Sequence, residues 1–159
     1  MAHSKQKNDF FKLVWKLIFS LFWAWKHKTW KPQSDGSISG IVLKTLLLSK
    51  FKTRHIFVSD DKYLLPTDKT IKDFLQQDDV NFRKYVPTKY DCDNFSFSLM
   101  GRASFLLSGY AIGIVWAKTP KGNHALNFYI NDSGVFKYIE PQTDRVFFDK
   151  DYEPFLVVI

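Results

Sequence analysis

One cysteine in 159 residues leaves no partner for an internal disulfide, so nothing in the chain argues for an oxidising compartment. Long apolar runs are also missing. The charge-free stretch Leu17–Trp25 has 9 residues, where a bilayer-spanning helix needs about 20. No small-x-small cleavage site follows that stretch, which argues against a secretory signal despite Lys5 and Lys7 ahead of it. Acidic residues are scarce at the start. Residues 1–54 hold 2 Asp/Glu against 11 Lys/Arg, whereas residues 55–159 hold 14 against 12. The basic pI therefore belongs to the N-terminal third, and a nucleic-acid-binding role for the whole chain is not expected. Internal repeats are absent.

Aromatic and apolar residues are plentiful, at 18% and 45%. That content excludes a disordered chain and fills the core of one domain. Two parts are expected: residues 1–40, a basic aromatic helix and linker, and residues 41–159, an α+β domain. In "FFKLVWKLIFSLFWAWKHKTWK" (10–31), Lys12, Lys16, Ser20 and Lys28 share one helical stripe, with a wide apolar face elsewhere. Such a helix suits a membrane interface, with Lys and Trp at headgroup level, and equally suits packing on the domain or a partner. "KPQSDGSISG" (31–40) reads as a linker, and "IVLKTLLLSKFK" (41–52) as a helix. A cytoplasmic or peripheral membrane location is expected, with secretion left open.

The remainder alternates in a helix-then-strands order. "RHIFVSD" (54–60) reads as a short strand, and residues 65–79 as a helix capped at Thr67 or Asp68. A second helix spans 92–109, with Phe95, Leu99, Ala103 and Leu106 at helical spacing and Asp91 as its N-cap. Strands are expected over 110–118, 124–130, 135–140, 145–148 and 155–159. One helix followed by antiparallel strands is an α+β pattern.

Cys92, the lone thiol, would open the second helix, where backbone N–H groups favour an anion. Asp91 and Asp93 oppose thiolate formation unless a cation neutralises them. His124 and Glu140 stand on neighbouring strands around "NDSG" (131–134). A two-residue loop would put them on opposite faces of the sheet. A three-residue loop with Gly134 in a left-handed bulge would put them opposite each other on one face. Cysteine as nucleophile, histidine as base and glutamate as orienter would make a Cys-His-acid site. Each residue also has an ordinary structural role open to it: a small buried hydrophobe, a histidine beside a turn, an acid at a strand end.

"YDCDNFSFSLMG", "AIGIVW", "HALNFYI" and "YIEPQTDRVF" occur in that order. Together they resemble the C-terminal papain-like cysteine peptidase domain of the Marasmius oreades agglutinin family and its bacterial and phage relatives. The resemblance covers residues 55–159. It implies a papain-like fold and a calcium-activated cysteine peptidase or amidase acting on a protein or peptide. Catalysis would rest on Cys92, His124 and Glu140, with calcium held around Asp93, Asn94, Glu140 and Gln142. Asn94 departs from the family, whose members often carry a second Asp there. The family's sugar-binding trefoil has no counterpart, so no carbohydrate-binding domain is expected. The rival reading is a non-catalytic interaction or membrane-associated protein on the same fold.

Overall fold

β-branched and aromatic residues crowd the chain after residue 110, and the computed structural model folds them into most of one six-stranded sheet. The structure describes residues 32–159, of which Gln33–Ile159 form one unit. The amphipathic segment 10–31 lies outside the described residues. In chain order the elements are β1 (Ser34–Ser39), α1 (Gly40–Lys50), β2 (Ile56–Phe57), β3 (Lys62–Pro66) and α2 (Asp68–Leu75). A 3₁₀ turn (Val80–Phe82) and α3 (Cys92–Leu106) follow. Next come β4 (Ile112–Thr119), β5 (Gly122–Ile130), β6 (Phe136–Glu140), β7 (Arg145–Phe147) and β8 (Glu153–Val158).

The large sheet runs β2-β8-β4-β5-β6-β7. Its β2–β8 edge is parallel, with Ile56 opposite Val157, so the sheet is mixed and not antiparallel as expected. The cause is the chain's end: β8 returns between β2 and β4, a long-range pairing that local pattern does not reveal. Residues 34–39, linker-like in composition, form β1 against β3. Ser and Gly have little intrinsic preference for strands, so the pairing with Lys62–Pro66 decides the matter.

Alternation along β5 divides the two faces of the sheet. Leu126, Phe128 and Ile130 join Leu43 and Leu47 of α1 in the main core. Each such side chain stabilises the fold by about 1.5–3 kcal/mol when fully buried. The other face meets α3: Asn127, fully buried, donates to Ser96 O at 3.0 Å and Gly113 O at 3.4 Å. Gly113 is required by close approach, because a Cβ there would overlap the Val158 carbonyl and the Phe128 ring.

Candidate functional site

α3 begins where the sequence says it should. Val86 and Tyr90 exchange backbone bonds, N–H of each to the carbonyl of the other, both at 2.9 Å. This closes a small loop with Thr88 at φ 60°. The Tyr90 ring then packs on Phe95, centroids 4.7 Å apart, and its hydroxyl donates to Ser98 Oγ at 2.8 Å. Asp91 is extended, at φ −113° and ψ −159°, as an N-cap residue should be. Its N–H donates to Asn94 Oδ1 at 3.1 Å, and the Asn94 N–H donates to Asp93 Oδ1 at 2.8 Å. The polar residues flanking Cys92 thus satisfy helix-start donors that would otherwise be orphaned. The Asp91 carboxyl beside it, together with burial, holds Asp93 above the usual carboxylate range. Cys92 is half-buried and free, and its carbonyl accepts from Ser96 Oγ at 2.9 Å.

His124 and Glu140 meet directly. His124 Nε2 lies 2.7 Å from Glu140 Oε2, with the side chains 22% and 16% exposed. The loop that allows this is longer than expected. Ile130 pairs with Phe136, which leaves five residues, 131–135, between the strands. Asn131 organises them: its Oδ1 accepts from Ser133 N at 3.1 Å and Val135 N at 2.8 Å. Gly134 takes φ +73°, the left-handed value expected of it. Two residues more than a three-residue loop preserve the facing, so His124 and Glu140 sit diagonally on one side. The other carboxylate oxygen, Oε1, accepts from Gln142 N at 3.2 Å and Gln142 Nε2 at 3.3 Å.

Contacts along α3 and the sheet advance in step. Phe97 packs on Trp116 at 5.7 Å, and Trp116 stands level with Ala125. Further along, Ala103 and Leu107 share a cleft with Ile112, which is level with Tyr129. The start of α3 and the start of β5 therefore share one end of the molecule, with Cys92 on one element and His124 on the other. Among the described residues no hydrogen bond joins Cys92 Sγ to His124. A nucleophile needs its base within hydrogen-bond reach; the structure joins His124 to Glu140 and shows no such bond from either to the Cys92 thiol.

The four expected calcium ligands stand in two separate networks. Asp93 and Asn94 cap α3, whereas Glu140 and Gln142 bond to each other and to His124. Among the described residues no group of three or more His, Cys, Asp or Glu side chains is arranged to hold a metal ion. None of the described helices is long and apolar enough to cross a membrane.

One further polar cluster escaped the sequence reading. Asn81 Nδ2 donates to Asp144 Oδ2 at 2.7 Å across 63 residues. Asp144 takes φ 56°, and its carboxyl is pushed up to about 6 by burial and then by the charge of Asp78. Nothing local in either segment signals this contact. Asn127 was legible in principle, as an amide inside an apolar strand.

The model of the agglutinin C-terminal family matches residues 63–146. No curated protein matches the chain. Solved structures that share the fold include the following two. One, described as a PSL1a–E64 complex, is 21% identical with a TM-score of 0.67, covering 77% of this chain and 50% of that one. The other is the Polyporus squamosus lectin bound to a human-type influenza-binding epitope, Neu5Aca2-6Galb1-4GlcNAc. It is 19% identical with a TM-score of 0.65, covering 82% of this chain and 55% of that one. The chain thus spans about half the length of each.

These findings correct the expectations drawn from the sequence. The resemblance to the agglutinin C-terminal family holds over residues 63–146, but the papain-like peptidase fold expected with it is replaced by an α+β fold with a mixed six-stranded sheet, shared with a structure named a lectin. The expectation of a cysteine hydrolase, with its protein or peptide substrate, is withdrawn with it: the fold is shared with a structure named a lectin, and among the described residues no bond joins the Cys92 thiol to His124. The expectation of no carbohydrate-binding domain is withdrawn as well: a structure that shares the fold, over 55% of its own length, is that of a lectin with a bound glycan.

Proposed function

The chain belongs to the agglutinin C-terminal family, and on that premise we propose that it is a non-catalytic interaction protein whose ligand is a glycan. The observation that carries this reading is the polar set around Glu140. Glu140, Gln142, Thr143 and Arg145 line an open cleft of about 660 Å³, with His124 bonded to Glu140 behind it. Sugar hydroxyls donate and accept at once. A carboxylate, an amide, a hydroxyl and a guanidinium offer the matching acceptors and donors. The ligand class is suggested by the glycan bound to the Polyporus squamosus lectin.

In this reading Cys92, Asp91 and Asp93 serve to start α3. His124 and Glu140 hold each other's orientation and present a fixed edge to the ligand. The test is a glycan array probed with the full chain, followed by titration of whatever binds. Glu140→Gln and Arg145→Ala should each weaken binding about tenfold or more, while Cys92→Ala retains it. Failure to bind any glycan would overturn the proposal. So would hydrolysis of an amide substrate that disappears in both Cys92→Ala and His124→Ala. Peripheral membrane contact through residues 10–31 is a separate proposal. It predicts that the full chain co-sediments with anionic vesicles and that replacing Lys12 and Lys16 reduces this.

A further inference from the structure

A cluster of like charges among the described residues lies away from Glu140. Residues 32–159 are nearly neutral, with 16 Lys/Arg and 15 Asp/Glu. Yet Lys50, Lys52, Arg54, Lys118 and Lys150, with His55, line one cleft of about 690 Å³ whose only acidic lining residue is Glu153. These side chains come from the end of α1, the loop after it, β4 and the loop before β8. Asp149 and Asp151 flank Lys150 in sequence, but neither lines the cleft.

Among the described residues none of the five Lys and Arg side chains takes part in an ion pair. Five like charges around one concavity repel, and low-dielectric walls concentrate their field. The protein does not relieve this with carboxylates, as it does at Lys69, Arg102 and Lys137. The frame beneath the charges is fixed. Thr53 Oγ1 donates to Phe155 O at 2.8 Å, His55 N donates to Thr53 Oγ1 at 3.1 Å, and Val157 N donates to His55 O at 2.9 Å. Lys50 Nζ is steadied over the rings of Phe136 and Phe148, at 5.4 and 5.1 Å from their centroids. Tyr152, Pro154 and Phe155 supply apolar wall to the same cleft.

We propose that this cleft is a binding site for a small ligand carrying two or more phosphate groups. Its size suits a small molecule. Its lysines supply point charges from several directions, and Arg54 adds a planar fork able to take two phosphate oxygens at once. The apolar wall receives the organic part of the ligand. The same phosphate chemistry occurs in a free metabolite and in a phosphoinositide headgroup, so the source of the ligand is decided by experiment.

The test uses the full chain and calorimetric titration with inorganic tripolyphosphate. A parallel arm uses phosphatidylcholine vesicles containing phosphatidylinositol 4,5-bisphosphate. The charge-reversed pair Lys52→Glu with Lys150→Glu should weaken tripolyphosphate binding by at least about tenfold. The neutral pair Lys52→Gln with Lys150→Gln should weaken it in the same direction by less. The control pair Lys84→Glu with Lys89→Glu, exposed and outside the cleft, changes net charge equally and should alter affinity less than about twofold. Vesicle binding that falls with the cleft pair but not the control supports the site with a lipid headgroup as its ligand. Loss of tripolyphosphate binding alone supports it with a free ligand. Equal losses in cleft and control pairs would reduce the effect to diffuse charge and overturn the proposal, as would absence of tripolyphosphate binding in the unaltered chain.

Discussion

Replacing Asp144 by Asn should make the protein more stable at neutral pH and leave it nearly unchanged in acid. Asp144 carries a carboxyl pushed up to about 6 from an ordinary 3.8, first by burial and then by the charge of Asp78. The folded protein keeps this proton through a range in which the unfolded chain has released it. Stability therefore falls as the pH climbs from about 4 to about 6. A separation of roughly two pH units corresponds to about 3 kcal/mol. Asp144 is only half-buried, so solvent screening brings the expected effect to about 1–2 kcal/mol. Asn keeps the shape and can still accept from Asn81 Nδ2. It also tolerates the left-handed φ of 56° at this position better than most residues. Urea unfolding of the parent and the variant at about pH 4 and about pH 7.5, below and above the titration of Asp144, measures the difference directly. A gain for Asn that is the same at both values, or a loss at the higher one, would refute the reasoning.

Other substitutions probe the fold and the site. Gly113→Ala should destabilise by about 3 kcal/mol or more, because the new methyl meets the Val158 carbonyl and the Phe128 ring with no room to yield; an unchanged thermal midpoint would contradict this. Asn127→Leu should cost about 1–3 kcal/mol in chemical denaturation by leaving the Ser96 carbonyl without its buried donor. Tyr129→Phe removes the hydroxyl that donates to Asp68 Oδ1 at 2.8 Å. It should cost about 0.5–3 kcal/mol, read as a lower urea midpoint. Because the expected calcium ligands stand in two networks, adding calcium or a chelator should leave the melting temperature of the full chain unchanged.

Legibility followed the range of the interactions. α3 was readable because its signals are local: Asp91 before it, apolar residues at helical spacing within it. The Thr67 cap of α2 was readable for the same reason, and its Oγ1 accepts from Thr70 N at 3.0 Å. β1 was hidden, since Ser and Gly compose both linkers and edge strands, and only its partner 62–66 distinguishes them. The parallel β2–β8 edge depends on residues about a hundred positions apart, beyond any local pattern. At the site, the His124–Glu140 contact could be foreseen from strand alternation, but the length of its loop could not. The acidic groups beside Cys92 pointed to a bound cation in the sequence, whereas the hydrogen bonds they make are those of a helix start. That ambiguity is inherent in Asp and Asn, which serve caps and ligands with the same atoms.

The connection between β5 and β6 also buffers the site against change. Sheet side chains alternate, so the register of β6 against β5 decides whether the histidine and the glutamate share a face. Residues gained or lost within the loop, with Ile130 still opposite Phe136, leave the two together and cost little closure entropy. A slip of β6 by one residue against β5 turns Glu140 to the far face and parts it from His124. The site is thereby open to drift in the sequence and length of its loop and closed to single-residue slips of its strands.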